Sequence, residues 1–172
     1  AVYGVGGPGD IAVVVDIGGG SVEITRGAGA TAETGRSFKA GVIRLTERFI
    51  KSDPVTPHDE RKLVKYIDAE IGDHLDRIVA AGFDRVIGTS GTILSLGAIA
   101  AAEQGLKPGE LLRNRRISAK QLRRVRKDLV GLPLEKRLRV PGLEPRRADL
   151  AVAGAILLDE ILRRLKANEF TL

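Results

Sequence analysis

Residues 13–24 read VVVDIGGGSVEI, and the succession of residue types in that stretch decides the fold. The apolar run Ile11–Val15 predicts a buried strand that delivers Asp16 at its C-terminal end. Ser21–Arg26 resumes as a second strand, in which Val22 and Ile24 alternate with Ser21, Glu23 and Thr25. A tight hairpin is satisfied by an Asn-Gly or Asp-Gly pair. Consecutive glycines cost about 0.5–1 kcal/mol each relative to Ala in regular structure, so Gly18, Gly19 and Gly20 are expected to do more than turn the chain. Without side chains, their backbone N–H groups can converge on one anion, as in other phosphate-cradling nests. Ser21 adds a hydroxyl donor, and Asp16 stands where a divalent ion or its waters would bridge to a phosphate. Glu23 lies on the same side of its strand as Ser21. Its carboxylate would be repelled by the anion unless a metal or a proton intervenes. The competing reading is a floppy glycine hairpin.

Outward from this stretch, Gly27-Ala28-Gly29 is a turn and Thr31–Phe38 a third, more polar strand, giving an antiparallel meander. Val42–Ile50 reads as a short helix stopped by Ser52-Asp53-Pro54. Thr56-Pro57-His58-Asp59 then supplies an N-cap, a proline at the first helical position and an acid in the first turn. Leu63, Ile67, Ile71, Leu75 and Ile78 form the apolar stripe of that helix, which Gly82 ends. Phe83–Thr89 is a fourth strand, running through Ser90-Gly91-Thr92 into the small apolar helix Ile93–Ala102. Lys107–Arg116 is a polar connection, and Ser118 caps a helix through Val130 with Leu122, Val125 and Leu129 inward. Arg146–Leu165 is a long apolar helix, and Asn168–Leu172 begins a strand. Meander strands followed by α/β units imply an α/β fold, a mixed sheet flanked by helices, in a single domain over residues 1–172.

The segment Gly88-Thr89-Ser90-Gly91-Thr92 is a second phosphate-loop candidate, because it leaves a strand and opens a helix whose N-terminal amides point outward. Its plainer reading is a strand-to-helix turn capped by Ser90 or Thr92. Two such loops can hold one terminal phosphate between them. Arg44, Arg146 and Arg147 are further candidates, since guanidinium forks suit phosphate oxygens.

Other chemistries find less support. Gly4-Val5-Gly6-Gly7-Pro8-Gly9 spells G-x-G-x-x-G but precedes a strand instead of following one. There is no P-loop and no G-x-S-x-G elbow. The chain has no Cys, which excludes disulfides and thiolate metal sites. His58 and His74 lack metal-ligand spacing and are expected to be solvated. No apolar run reaches membrane-span length and no signal peptide is evident, so no membrane partner is expected. The chain also lacks Met, so Ala1 is not a translation start and the sequence is expected to be an excised piece of a larger protein. A net charge of +6 favours polyanionic partners. The basic run Arg113, Arg115, Arg116, Lys120, Arg123, Arg124, Arg126, Lys127 is either a track for a linear polyanion or a solvated helix face. With few aromatics to stack on bases, nucleic acid is not an expected partner.

Taken together, DIGGGSVE (Asp16–Glu23), GVIRLTERF (Gly41–Phe49), GTSGT (Gly88–Thr92) and PGLEPRRADLAVAGAILL (Pro141–Leu158) resemble, in order, the motifs of the Ppx/GppA phosphatase family. Val22 stands where that family usually has Thr. The resemblance spans essentially the whole chain and implies a subdomain of the actin-like ATPase, or ribonuclease H-like, superfold. Family members pair two such subdomains around a phosphate cleft; this chain resembles the second, C-terminal one, so the first would be its partner in cis. By the resemblance, Asp16 and Glu23 would organise a divalent cation, Mg²⁺ or another, and the attacking water. Gly18, Gly19, Gly20 and Ser21 would hold the terminal phosphate, with Gly88, Thr89, Ser90, Gly91, Thr92 and Arg147 on the opposite wall. The implied activity is release of orthophosphate from inorganic polyphosphate or guanosine pentaphosphate, in the cytoplasm of a bacterium and in its stringent response. The glutamate thought to activate water belongs to the first subdomain, so this chain alone is expected not to turn over. A kinase of the same superfold and a non-catalytic sensor of polyphosphate or guanosine tetraphosphate are the alternatives. An isolated lobe also exposes its cleft face, a route to self-association as a homodimer.

Overall fold

The computed structural model describes residues 9–29, 31–106 and 113–172; the glycine-rich opening up to Pro8 and the polar connection up to residue 112 lie outside them. The opening stretch is a hairpin. Strand β1 (Ile11–Ile17) pairs antiparallel with β2 (Val22–Ala28), Asp16 opposite Glu23 and Ile17 opposite Val22. Strand β3 (Thr31–Phe38) pairs antiparallel with β2 and is exposed along most of its length, as befits an edge. On the other side of β1, strand β4 (Arg85–Thr89) runs parallel to it. Helices α1 (Val42–Phe49) and α2 (Pro57–Ala81) supply the crossover that a parallel pair requires. With β5 (Arg116–Ser118) and β6 (Glu169–Thr171) the sheet has six strands in the order β3-β2-β1-β4-β6-β5. It is the mixed sheet flanked by helices that the residue pattern predicts.

Side-chain alternation explains which face is buried. Val13, Val15 and Ile17 of β1 and Val22 and Ile24 of β2 are fully enclosed, while Asp16, Ser21 and Glu23 remain partly accessible. Val22 therefore points away from the candidate site, as expected. Helix α2 starts where predicted, with the Thr56 hydroxyl accepting from the Asp59 amide, and its Leu63–Ile78 stripe is buried. Helix α3 (Ser90–Ala102) follows β4 directly, and α4 (Ala119–Gly131) opens with a capping box between Ser118 and Gln121. After the short α5 (Leu134–Arg137), helix α6 (Ala151–Leu165) packs against α1, α2, α3 and α4 and forms the centre of the core. Among the described residues, no helix is long and apolar enough to cross a membrane.

The structure departs from the sequence reading in several places. Gly27 and Ala28, read as a turn, extend β2 and pair with Ala32 and Thr31. The long helix expected from Arg146 is broken: Pro145–Arg147 form a 3₁₀ turn, with Ala148 N–H donating to the Pro145 carbonyl, and the α-helix begins at Ala151. Proline at the start favours that tight turn, and it sets Arg147 apart from the helix that follows. The polar tripeptide Arg116–Ser118 is an edge strand too short to leave a periodic signal. His74 is buried against the Phe38 ring, its Nε2 3.1 Å from the Ile24 carbonyl, so it is a packed core group and not a solvated one.

Candidate functional site

The sheet register gathers four polar side chains into one row at the C-terminal ends of β1 and β4. Ser37 lies opposite Glu23, Glu23 opposite Asp16, and Asp16 opposite Thr89. Directly paired residues project to the same face, so the row holds two carboxylates between two hydroxyls. Ser37 Oγ donates to Glu23 Oε1 at 2.6 Å, and Thr89 Oγ1 donates to Asp16 Oδ2 at 3.0 Å. Hydrogen bonds from Ser37, then from Ser21, hold the Glu23 carboxyl below the usual glutamate range against the opposing effect of burial. Among the described residues, neither Asp16 nor Glu23 takes part in an ion pair.

The glycine loop is fixed from behind. Val42 N–H donates to the Gly18 carbonyl at 3.0 Å and Ile43 N–H to the Gly19 carbonyl at 2.9 Å, so the free amides at the start of α1 are spent on the loop. The Arg44 guanidinium donates to the Gly20 carbonyl at 2.9 Å. Three successive carbonyls are thus turned toward α1, while the amides of Gly19, Gly20 and Ser21 make no hydrogen bond within the described protein. Gly41 permits this approach: a Cβ there would lie 2.3 Å from the Ser21 nitrogen and 2.4 Å from the Gly19 oxygen.

The second loop lies beside the first because β4 is the neighbour of β1. Gly88 is buried within β4. Ser90 has φ 92°, a conformation that costs a non-glycine residue about 1–3 kcal/mol and is typical of functional turns. Its hydroxyl accepts from the Ile93 amide at 3.5 Å. Thr92 is buried beneath α6 at Gly154, whereas Gly91 is covered by the Arg147 guanidinium, whose Nη2 would sit 2.3 Å from a Cβ at that position. Arg147 is in turn steadied by Glu144 at 3.1 Å. The structure therefore brings Asp16, Gly18, Gly19, Gly20, Ser21 and Glu23 together with Thr89, Ser90, Gly91 and Arg147. Arg146 points to Glu144 and is largely exposed.

Sequence reasoning missed Ser37, which becomes part of the site only through pairing, and Lys39 and Arg48, which share a groove with Arg44 on the flank of the loop. The basic run resolves mostly into an exposed face. Its exception is Arg126, which bridges Glu60, Asp159 and Glu160 in the interior.

No group of three or more His, Asp or Glu able to hold a metal occurs among the described residues. Asp16 and Glu23 are instead a pair of hard oxygen donors beside the unbonded amides of Gly19, Gly20 and Ser21. That set fits Mg²⁺, which binds one or two carboxylates and completes its shell with waters and substrate phosphates.

Comparison with known proteins identifies the family and the fold. The family model described as the Ppx/GppA phosphatase family matches residues 2–172. Exopolyphosphatase 2 of Mycobacterium tuberculosis is 30% identical over 168 residues, covering 96% of this chain and 51% of that protein. A guanosine-5'-triphosphate,3'-diphosphate pyrophosphatase of Vibrio atlanticus is 29% identical over 93% of this chain and 31% of its own length. Among solved structures, an exopolyphosphatase from Cytophaga hutchinsonii superposes with a TM-score of 0.87 at 28% identity, covering 99% of this chain and 55% of that one. The Aquifex aeolicus Ppx/GppA phosphatase gives 0.81 at 25% identity, covering 95% and 53%. The chain thus spans about half the length of the exopolyphosphatases it matches.

Proposed function

Since the chain belongs to the Ppx/GppA phosphatase family, we propose that it is the C-terminal lobe of a phosphoanhydride hydrolase that releases terminal orthophosphate from inorganic polyphosphate, guanosine pentaphosphate or both. The observation that carries this reading is the row Ser37–Glu23–Asp16–Thr89, set at the roots of two loops that leave adjacent strands, the first with its Gly19, Gly20 and Ser21 amides unbonded within the described protein. The amides of Gly19, Gly20 and Ser21 would donate to the terminal phosphate, acting as preorganised dipoles that need no reorientation as charge develops. Ser90, Gly91 and the Arg147 fork would contact the phosphate from the β4 side. Asp16 and Glu23 would hold a divalent cation, Mg²⁺ by the donor set; when bound, it neutralises charge on the transferring group. Thr89 and Ser37 fix the orientation of the two carboxylates, and the lowered pKa of Glu23 keeps it anionic at neutral pH. By the family resemblance the residue that fires the water would lie on the other lobe, so this chain alone would bind phosphate without turnover. The family and its soluble substrates would place the protein in the cytoplasm of a bacterium.

Phosphate release tests the reading, with polyphosphate and guanosine pentaphosphate offered to this chain and to the same chain joined to the first subdomain of its gene. The joined protein is expected to hydrolyse at least one substrate, and Asp16→Ala to abolish it. Equal rates for wild type and Asp16→Ala would remove Asp16 from the mechanism. Tight binding without release by the joined protein would make it a sensor.

A further inference from the structure

The glycine loop presents its amides only while its peptides keep their orientation. In a trans peptide the carbonyl of one residue and the N–H of the next point in opposite directions. A carbonyl bonded behind the loop therefore turns the following amide forward. The Val42 amide, on the Gly18 carbonyl, sets the Gly19 N–H, and the Ile43 amide, on the Gly19 carbonyl, sets the Gly20 N–H. The third peptide is held differently. Its carbonyl, that of Gly20, accepts from a side chain, the Arg44 Nε at 2.9 Å. A Cβ on Gly41 would lie 2.3 Å from the nitrogen and 2.4 Å from the carbonyl carbon of this peptide, so Gly41 lets α1 support it from behind. Gly20 itself has few restraints. A Cβ on Gly19 would run into Ile43 Cδ1 at 2.8 Å, whereas one on Gly20 would meet, among the described residues, Arg44 Nε alone at 3.9 Å. Gly20 is also exposed and, as a glycine, can turn its peptide at little steric cost.

We propose that Arg44 is a positioning residue, which holds the Gly20 carbonyl backward so that the Ser21 amide faces the anion. The assignment rests on the phosphate-site reading and adds to it the residue that aims the last of its three loop amides. If this peptide turned over, the Gly20 carbonyl would meet the anion in place of the Ser21 N–H, exchanging an attraction for a repulsion. A charged donor also polarises the peptide that it bonds, which strengthens the N–H on the far side. The competing role for Arg44 is a fork on phosphate oxygens. Its Nε instead works from the side of the loop that faces α1, in series with the Val42 and Ile43 amides.

Calorimetric titration of the chain with orthophosphate, in about 0.5 M salt to screen exposed charge, separates the two roles. Arg44→Gln sets an amide nitrogen as many bonds from the backbone as Nε but carries no charge, whereas Arg44→Lys keeps the charge and moves the donor one atom further out. Arg44→Ala is expected to weaken orthophosphate binding about ten-fold, Arg44→Gln to recover it to within about three-fold of wild type, and Arg44→Lys to stay near the alanine variant. Lys39→Ala removes a cation from the same flank of the loop and is expected to leave the affinity within about two-fold. Backbone amide resonances supply a second readout. At saturating phosphate the Ser21 response is expected to be largely lost in Arg44→Ala and regained in Arg44→Gln, while that of Gly19, set by Val42, persists and reports an intact fold. Wild-type affinity or an unchanged Ser21 response in Arg44→Ala overturns the positioning role. So does recovery by Arg44→Lys without recovery by Arg44→Gln, which makes Arg44 a charge acting on the ligand. Each of these leaves the phosphate-site reading standing, because the wild-type chain binds. If the wild-type chain binds no orthophosphate, that reading falls and the positioning role with it.

Discussion

Ser37 Oγ is the nearest partner of Glu23, and it is a neutral donor where an ion pair would have been easy to build. A hydroxyl orients a carboxylate and favours its charged form without neutralising it, which leaves the charge available to a cation. Ser37→Ala is expected to raise the Glu23 pKa toward the ordinary glutamate value, read from its side-chain carboxyl resonance in an NMR titration. The folded-state pKa lies below the unfolded one, so the contribution of this bond to stability is present above the unfolded pKa. It is lost as the pH falls through the folded value. The wild type should therefore lose more stability than Ser37→Ala on acidification through that window; parallel stability–pH curves would contradict the assignment.

Elements explain what single residues do not. Counting back from the turn, a regular β2–β3 hairpin pairs Ala28 with Thr31 and would bring Arg36 opposite Glu23. The register instead shifts between Arg26 and Gly27, and Ser37 arrives there. A bulge of one residue thus exchanges a cation for a hydroxyl beside the candidate site. Asp16, the glycines and Glu23 were legible in the sequence because strand alternation and composition express them locally. Ser37 was not, because its role depends on an irregularity in pairing that no periodic pattern records. The same holds for His74 and Arg126, whose burial comes from elements distant in sequence. Arg126 fastens α4 to α2 and α6: burial draws its pKa down, but bonds to Glu160, Glu60 and Asp159 outweigh that and hold it charged. Burial pushes the Asp159 carboxyl up more than Arg126 brings it down. Arg126→Ala, leaving these carboxylates uncompensated, is expected to cost about 3–5 kcal/mol in urea unfolding at neutral pH. With the folded-state carboxyl pKa raised, the deficit should shrink as acid protonates the group; a deficit independent of pH would refute that account.

Across the whole molecule, order depends on a strand of three residues. β6 stands between β4 and β5, contributes the fully buried Phe170, and presses that ring to within 3.2 Å of where a Cβ on Gly88 would stand. Phe170→Ala is expected to lower stability by about 3–5 kcal/mol in urea unfolding, and to weaken phosphate binding as β4 loses its backing. Binding that survives at wild-type strength would show that the second loop is held by α3 alone. The α/β class and the meander were readable from the sequence, but the place of β6 inside the sheet was not, since a tripeptide carries no topology. The parallel pairing of β1 and β4 has one more consequence. Both candidate loops hang from adjacent strands, so the gap between their roots is a single interstrand spacing, about 4.8 Å. If they grip a phosphate as proposed, the backbone ladder works as a caliper for a small tetrahedral oxyanion. Substitutions within either loop can change the grip but not the gauge; a wider jaw requires β4 to part from β1.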